Sequence, residues 1–507
     1  MLPTDTDFES KFTFETEANP LAEDPPFHVL LLGDWSGNGA KRDLAERRPI
    51  AIDRDNFDEV IRRLKTSLEL DLNGDGNILN IDFTELDDFH PDNLFRQVSL
   101  FGDLRDVRRR LLNADSFNEA TRQVRTWFNV PQESAVNEET SAESAPIDSD
   151  NLLDQILSQP GETSSVKPQR VDNTDLGRFL SKIVSPFLVK IDENEQSKLV
   201  AAVDGATSEL MRTILHHPNF QALESAWRGL YFLVRRVETD VDLKIFIFDV
   251  SQAELTDNLK TISSLADSFL YRWLITETDE MLGGEPFALV CGNYSFGINV
   301  DDIAGLMRIA KLANASDAPF ISHIRPEMFG TKSFAENTDF SEWRFSEETT
   351  EGKLWTTLRA MPDADSLGFS PMRILARMPY GKATDSAETF SFEEFTGEIE
   401  HENYLWTNPS FACALLLAQS YRHFGWDDMG ERLHRDIEGL PMHIYRENGE
   451  TKTKPCAEVV LTEGLSEKLL QQGVMPLLSY RDTDRVRLAR FQAVSSPLKT
   501  LSGKWNR

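Results

Sequence analysis

Apolar residues recur at three- and four-residue steps through residues 216–236, HHPNFQALESAWRGLYFLVRR. Phe220, Leu223, Trp227, Leu230, Tyr231 and Val234 share one face at that period, which predicts an amphipathic helix. Pro218 suits its first turn, where a missing N–H costs nothing. Residues 243–250, LKIFIFDV, are rich in β-formers and predict a strand. Ser251 and Glu254 then hold the spacing of a capping box, which opens another helix. The rest of the chain is organised around this unit. The predicted helix holds no nucleophile–base pair and no metal-ligand spacing, so its role is architectural.

Nearer the N-terminus the pattern predicts strands at 27–32 (FHVLLL) and 49–54 (PIAIDR). It predicts a helix at 56–64, with Phe57, Val60, Ile61 and Leu64 on one face. A further helical region carries Leu94, Phe95, Leu104, Val107 and Leu111. Residues 176–215 are mostly helical in pattern. Strands are predicted at 285–291 and 319–322, and a helix at 302–313. Residues 334–377 are irregular, and their Trp343 and Trp355 read as loop packing. Asn408 and Pro409 start a helix that is apolar nearly all round, as in a buried helix of a large domain, and Gly425 stops it. Residues 442–445, 457–461 and 474–480 are strand-like, with a helical 465–471. This alternation predicts an α/β fold, with mixed sheets and flanking helices.

Residues 131–171 break the pattern. They hold eight Asp/Glu, two Lys/Arg and no aromatic residue. Such a stretch buries too little apolar surface to order itself, so an acidic disordered linker is expected. Within it, Leu152, Leu153, Ile156 and Leu157 of NLLDQIL share one helical face. A helix that short orders only against a partner or against its own domain. The expected division is an acidic tail at 1–26, a domain at 27–130, the linker at 131–171, a second domain at 172–496 and a tail at 497–507.

The net charge of −31 disfavours a nucleic-acid backbone or an anionic membrane surface as partner. Three cysteines, far apart, fit a reducing compartment. The acidic N-terminus lacks a signal-peptide core, and the most apolar run, 411–418, is too short to span a bilayer. A cytoplasmic protein is expected.

Candidate chemistry is sparse. Gly33 to Gly37 (GDWSG) lacks the Gly-Lys-Ser/Thr ending of a phosphate loop and reads as a turn after a strand. Asp71, Asn73, Asp75, Gly76 and Asp82 match positions 1, 3, 5, 6 and 12 of a calcium loop, although position 12 is Asp and not Glu. The same residues fit a hairpin turn between alternating strands. His90, beside Asp87, Asp88 and Asp92, reads as the start of a helix. Arg373, Arg377 and Lys382 form a thin basic patch, read as a surface salt-bridge face ahead of an anion site. His434-Arg435-Asp436 imitates a kinase fragment, but Pro441 stands where the Asn belongs. No catalytic, cofactor-binding or metal-binding residue is assigned. A structural or interaction protein is expected, and a calcium-binding module on the Asp71 loop is the alternative of another class.

Several stretches are also similar to a known family. ILHHPNFQALESAWRGLYFLVRR, GEPFALVCGNY, APFISHIRPEMFG, YLWTNPSFACALLLAQSYRHFGW and KPCAEVVLTEGLSEKLLQQGVMPLLSYRDTD resemble the large subunit of the type VI secretion contractile sheath. PFHVLLLGDWSG, RRPIAIDRDNFDEVI and LDDFHPDNLFRQ resemble the small subunit. In that family the two subunits are separate chains forming one protomer. The resemblance implies a fused subunit that polymerises around an inner tube and contracts to drive protein translocation. It implies other sheath subunits, the inner tube protein and the baseplate as partners. Residues 151–157 resemble the handle for a ring-shaped disassembly ATPase. Because the family pattern continues past Phe491, a non-polymerising cap, baseplate-associated or assembly-regulating protein is the second expectation within the same system.

Overall fold

The computed structural model describes residues 24–127 and 195–506, apart from 40, 73–75, 77, 278–284, 336–342, 344–347, 398 and 448. The expected linker and its 151–157 helix lie outside the described residues.

Among the described residues, ten strands precede the helix Ser410–Met429. They are β1 (Phe27–Gly33), β2 (Ile50–Ile52), β3 (Ser67–Asp71), β4 (Ile78–Asp82), β5 (Leu243–Asp249), β6 (Phe287–Phe296), β7 (Phe320–Ile324), β8 (Leu367–Ser370), β9 (Ile374–Leu375) and β10 (Trp406–Thr407). Five follow it, namely β11 (Asp436–Ile437), β12 (His443–Glu447), β13 (Glu450–Lys454), β14 (Leu477–Ser479) and β15 (Val486–Leu488). The main sheet has six strands in the order β2-β5-β1-β6-β7-β8. Only β2 is antiparallel to its neighbour. The fold is therefore mixed α/β, as the alternation predicts.

The order within the sheet is the main finding. β1 belongs to the first sequence region, yet it lies between β5 and β6 of the second. Leu31 faces Ile247 on one side and Cys291 on the other. Every residue of β1 is buried, which explains why it is apolar at nearly every position: an interior parallel strand is covered on both faces. β2 then closes the outer edge of β5, pairing Ala51 with Phe246. The division at 131–171 is thus one of sequence, and the sheet crosses it.

The predicted helix runs Pro218–Arg236 with Pro at its first position, and His217 Nδ1 accepts the N–H of Asn219. It packs against the helix Ser410–Met429, which lies over β1, β6 and β7. Gly229 permits that approach, since a Cβ there would overlap Thr407 and the Phe411 ring. The Ser251–Glu254 capping box forms as read and opens the helix Gln252–Thr261. That helix packs with Val300–Ala315, which in turn meets Thr350–Ala360.

Several expectations are corrected. Residues 334–377 contain a helix (Thr350–Ala360) and a strand (β8), although their apolar positions show no clear period. Residues 457–461 form no strand; they bend, with Glu458 at φ 48° and its carboxylate buried. Gly425 breaks its helix at φ 63°, but the chain resumes helical turns as far as Met429. The tail expected at 497–507 packs onto the fold, with Leu501 and Trp505 buried. β3 and β4 pair antiparallel, so of the two readings of the Asp71 stretch the hairpin holds.

A protease site inserted within 131–171 and cut after folding tests the shared sheet. The two fragments are expected to co-elute under native conditions and to separate only in denaturant. Separation in native buffer contradicts the insertion of β1.

Candidate functional site

The surface that joins the two sequence regions is the most elaborated feature of the fold. At the end of β1, Asp249 of β5 accepts the N–H groups of Trp35 at 2.8 Å and Ser36 at 3.2 Å, and the Ser36 hydroxyl at 2.7 Å. Trp227 Nε1 donates to the Trp35 carbonyl at 3.0 Å, and the two indoles meet edge to face. Arg47 donates to the Asp249 carbonyl and to Glu254. A second contact lies further out. Asp92, at the start of the helix Pro91–Gln97, accepts the N–H groups of Glu388 and Thr389, each at 2.9 Å, and the Thr389 hydroxyl. Burial opposes its ionisation, but these donors hold its carboxyl below the usual range. Phe83 and Phe89 of the first region stack on each other and meet Phe220 of the second tilted and edge-on, and Phe57 packs edge-on to Trp227 and Tyr231. Two ion pairs, Arg108–Asp204 and Arg125–Glu195, close the outer side.

A buried ionic cluster sits on the Pro218–Arg236 helix. Arg377 reaches Glu224 at 2.8 Å and Glu394 at 2.7 Å, and both carboxylates are essentially inaccessible. Arg228 joins Glu224 to the Tyr380 hydroxyl, and His90 lies edge-on to the Tyr380 ring. Burial alone raises the carboxyl pKa of Glu394; Arg377, His216 and the Tyr380 N–H override it and lower the value to about 2. A second cluster pairs Arg373 with Glu458 at 2.6 Å and Glu402 at 3.0 Å. Burial likewise raises Glu458, and Arg373 with His401 brings it down to about 2. The predicted basic patch therefore does not exist as a surface. Arg373 and Arg377 point inward onto paired carboxylates, and only Lys382 stays exposed.

The remaining candidates take structural roles. Parallel strands order β5-β1-β6-β7-β8, so a crevice opens at their carboxyl ends, where β5 and β6 flank β1. It forms two adjoining clefts of about 430 and 290 Å³, lined by Asp34, Asn38, Asn293, Ser295 and His323 among others. The glycine turn there cannot cradle phosphate, because its amides are already used. Trp35 and Ser36 donate to Asp249, Gly37 to Asp34, Asn38 to Ser67 and Gly39 to Ser36. Asp71 and Asp82 stand at opposite ends of the β3–β4 pair, roughly 13 Å apart. That register excludes a calcium loop closed by both. His90 accepts the N–H of Asp92 as a helix cap. Asp436 pairs with Arg485 and Arg487, and Trp355 and Trp343 pack on phenylalanines. Sequence reading missed Glu224, Asp249 and Glu394, and it overlooked the role of Asp92 as a receptor for two amides.

Two outcomes test the clusters. Glu224→Gln leaves Arg377 under-compensated and is expected to cost about 3 kcal/mol in denaturant unfolding, against less than ~1 kcal/mol for Asp428→Asn in the exposed Arg432 pair. Equal costs refute the cluster's role. Glu394 and Glu458 are depressed from 4.5 to about 2 in the folded chain. Their contribution is fully present above the unfolded value and is lost as pH falls through the folded one. The urea midpoint is expected to decline between pH 4.5 and 2. A midpoint unchanged down to pH 3 contradicts the pairing.

Comparison with known proteins agrees with this two-region architecture. The VipB family (EvpB/VC_A0108, tail sheath N-terminal domain) matches residues 197–496. The type VI secretion system VipA family (VC_A0107 or Hcp2) matches residues 10–133. The chain is 33% identical over 304 residues to the type VI secretion system sheath protein TssC1 of Pseudomonas aeruginosa, covering 59% of this chain and 61% of that protein. It is 33% identical over 95 residues to sheath protein TssB1 of the same organism, covering 17% of this chain and 55% of that protein. The chain thus spans less than two thirds of either relative. It belongs to the type VI secretion tail-sheath family, with a small-subunit-type and a large-subunit-type region in one polypeptide.

Proposed function

We propose that this chain is a non-enzymatic, cytoplasmic structural subunit of a type VI secretion sheath, carrying a small-subunit-type and a large-subunit-type region in one polypeptide. The observation that carries the reading is β1 of the first region seated between β5 and β6 of the second. Two parts that share a sheet move as one body, as a repeating mechanical unit must. Repeated head-to-tail contacts between such units build an open helical tube. Interfaces with two discrete packings then convert assembly energy into shortening around an inner tube. Among the described residues no helix is long and apolar enough to cross a membrane. The inner tube protein, the baseplate and other sheath subunits are the proposed partners. A ring-shaped ATPase acting on residues 151–157 is proposed for disassembly.

Electron microscopy of the chain co-expressed with an inner tube protein tests this reading. Hollow tubes in a long and a short form are expected, and deletion of 151–157 is expected to leave tube formation intact while abolishing capture of the ATPase. A strictly monomeric chain that binds only the ends of preformed sheath contradicts polymerisation and makes it a cap or assembly regulator.

A further inference from the structure

A nucleophile-like relay lies at the base of the exposed β12–β13 hairpin, away from the seam between the regions. Lys454 ends β13, and its Nζ lies 2.7 Å from His401 Nδ1. His401 Nε2 lies 3.3 Å from Glu458 Oε1. Glu458 is 5% exposed and is fixed by the backbone N–H of Arg373 at 2.8 Å and by its guanidinium. An amine, an imidazole and a buried carboxylate therefore stand in line, the arrangement in which a base activates a nucleophile and an acid orients the base. The network sets the tautomer: Nδ1 accepts from the lysine, and Nε2 carries the proton toward Glu458.

Lys454 also differs from two other partly buried lysines. Lys41 and Lys244 each meet a carboxylate, at 2.7 and 2.8 Å. Among the described residues no carboxylate lies within ion-pair reach of Lys454 Nζ. Its surroundings are the rings of Tyr404 and Trp406, with centroids 4.9 and 5.7 Å away, together with His401, Glu402, Glu458 and Arg373. The ring faces favour the ammonium. Burial outweighs them: with Arg373 it prevails over the more distant Glu458 and Glu402 and brings the ammonium pKa down to about 8. At pH 7.5 about a quarter of such amines are neutral, against roughly one in a thousand for an ordinary lysine.

We propose that Lys454 is a reactive amine that accepts acyl groups from small acyl phosphates. The neutral Nζ lone pair attacks the acyl carbonyl carbon and forms an N–C bond. The C–O bond to phosphate breaks, and phosphate leaves with that electron pair. The surplus Nζ proton passes to His401 Nδ1. The product amide carries no charge and keeps a single N–H, so modification removes the cation from the joint between the hairpin and the Arg373–Glu458 cluster.

Acetyl phosphate and the full-length folded chain test this, with acetylation of each lysine followed by peptide mass spectrometry at early times. Lys452, two residues earlier on the same strand and exposed, is the internal control. Lys454 is expected to react at least tenfold faster than Lys452 at pH 7.5, and its rate to level off above about pH 8. Lys452 is expected to keep accelerating toward pH 10. Unfolding in urea is expected to equalise the two, and His401→Gln to slow Lys454 alone. Equal or slower reaction at Lys454 in the folded chain, or parallel pH profiles, overturns the proposal.

Discussion

Every backbone donor and acceptor of a strand inside a sheet needs a partner, and leaving one unmade in the interior costs about 1–3 kcal/mol. β1 is such a strand, and its seven residues are all buried. Its partners on both sides, β5 and β6, come from beyond the linker. Neither sequence region can satisfy that demand alone. The first would expose a largely apolar strand, and the second would have a gap between β5 and β6. The rest of the seam follows from this requirement. Asp249 caps the chain as it leaves β1, Trp227 anchors the turn, and β2 covers the outer edge.

The charges add register to that hydrophobic association. A buried ion pair is weak evidence of net stabilisation, because desolvation offsets much of its attraction. Its cost if mispaired is large, however, and that makes it selective. Arg377 finds two carboxylates only when the Pro218–Arg236 helix and the segment carrying Glu394 are correctly aligned. Asp92 finds its two amides only when the first region is seated on the second. Such discrete alignments select one seating of the first region on the second, which is a separate effect from added stability.

How much of this was legible depended on range. The Pro218–Arg236 helix, β5 and the Ser251–Glu254 cap were readable because their signals are local and periodic. β1 was readable as a strand, but nothing within FHVLLL states which strands flank it. Glu224 occupies a polar position of an amphipathic helix and so looked solvated; its partner is over 150 residues away. Glu458 hid inside the apolar run AEVVL, where a strand pattern concealed a bend. The Asp71 motif left two readings open, and only the register decides between them. Its ligand spacing was present, but β3–β4 register separates its ends. The seam was thus visible in part as elements and hardly at all as contacts.

Hydrogen exchange of the β1 amides measures the central claim most directly. Amides of an interior strand exchange only through global unfolding, whereas a separable unit opens at lower free energy. Val29 to Leu32 are predicted to exchange with the same opening free energy, and the same denaturant dependence, as the interior amides of β5 and β6. Exchange of β1 at a distinctly lower free energy, with β5 and β6 still protected, would contradict a single sheet built from both regions.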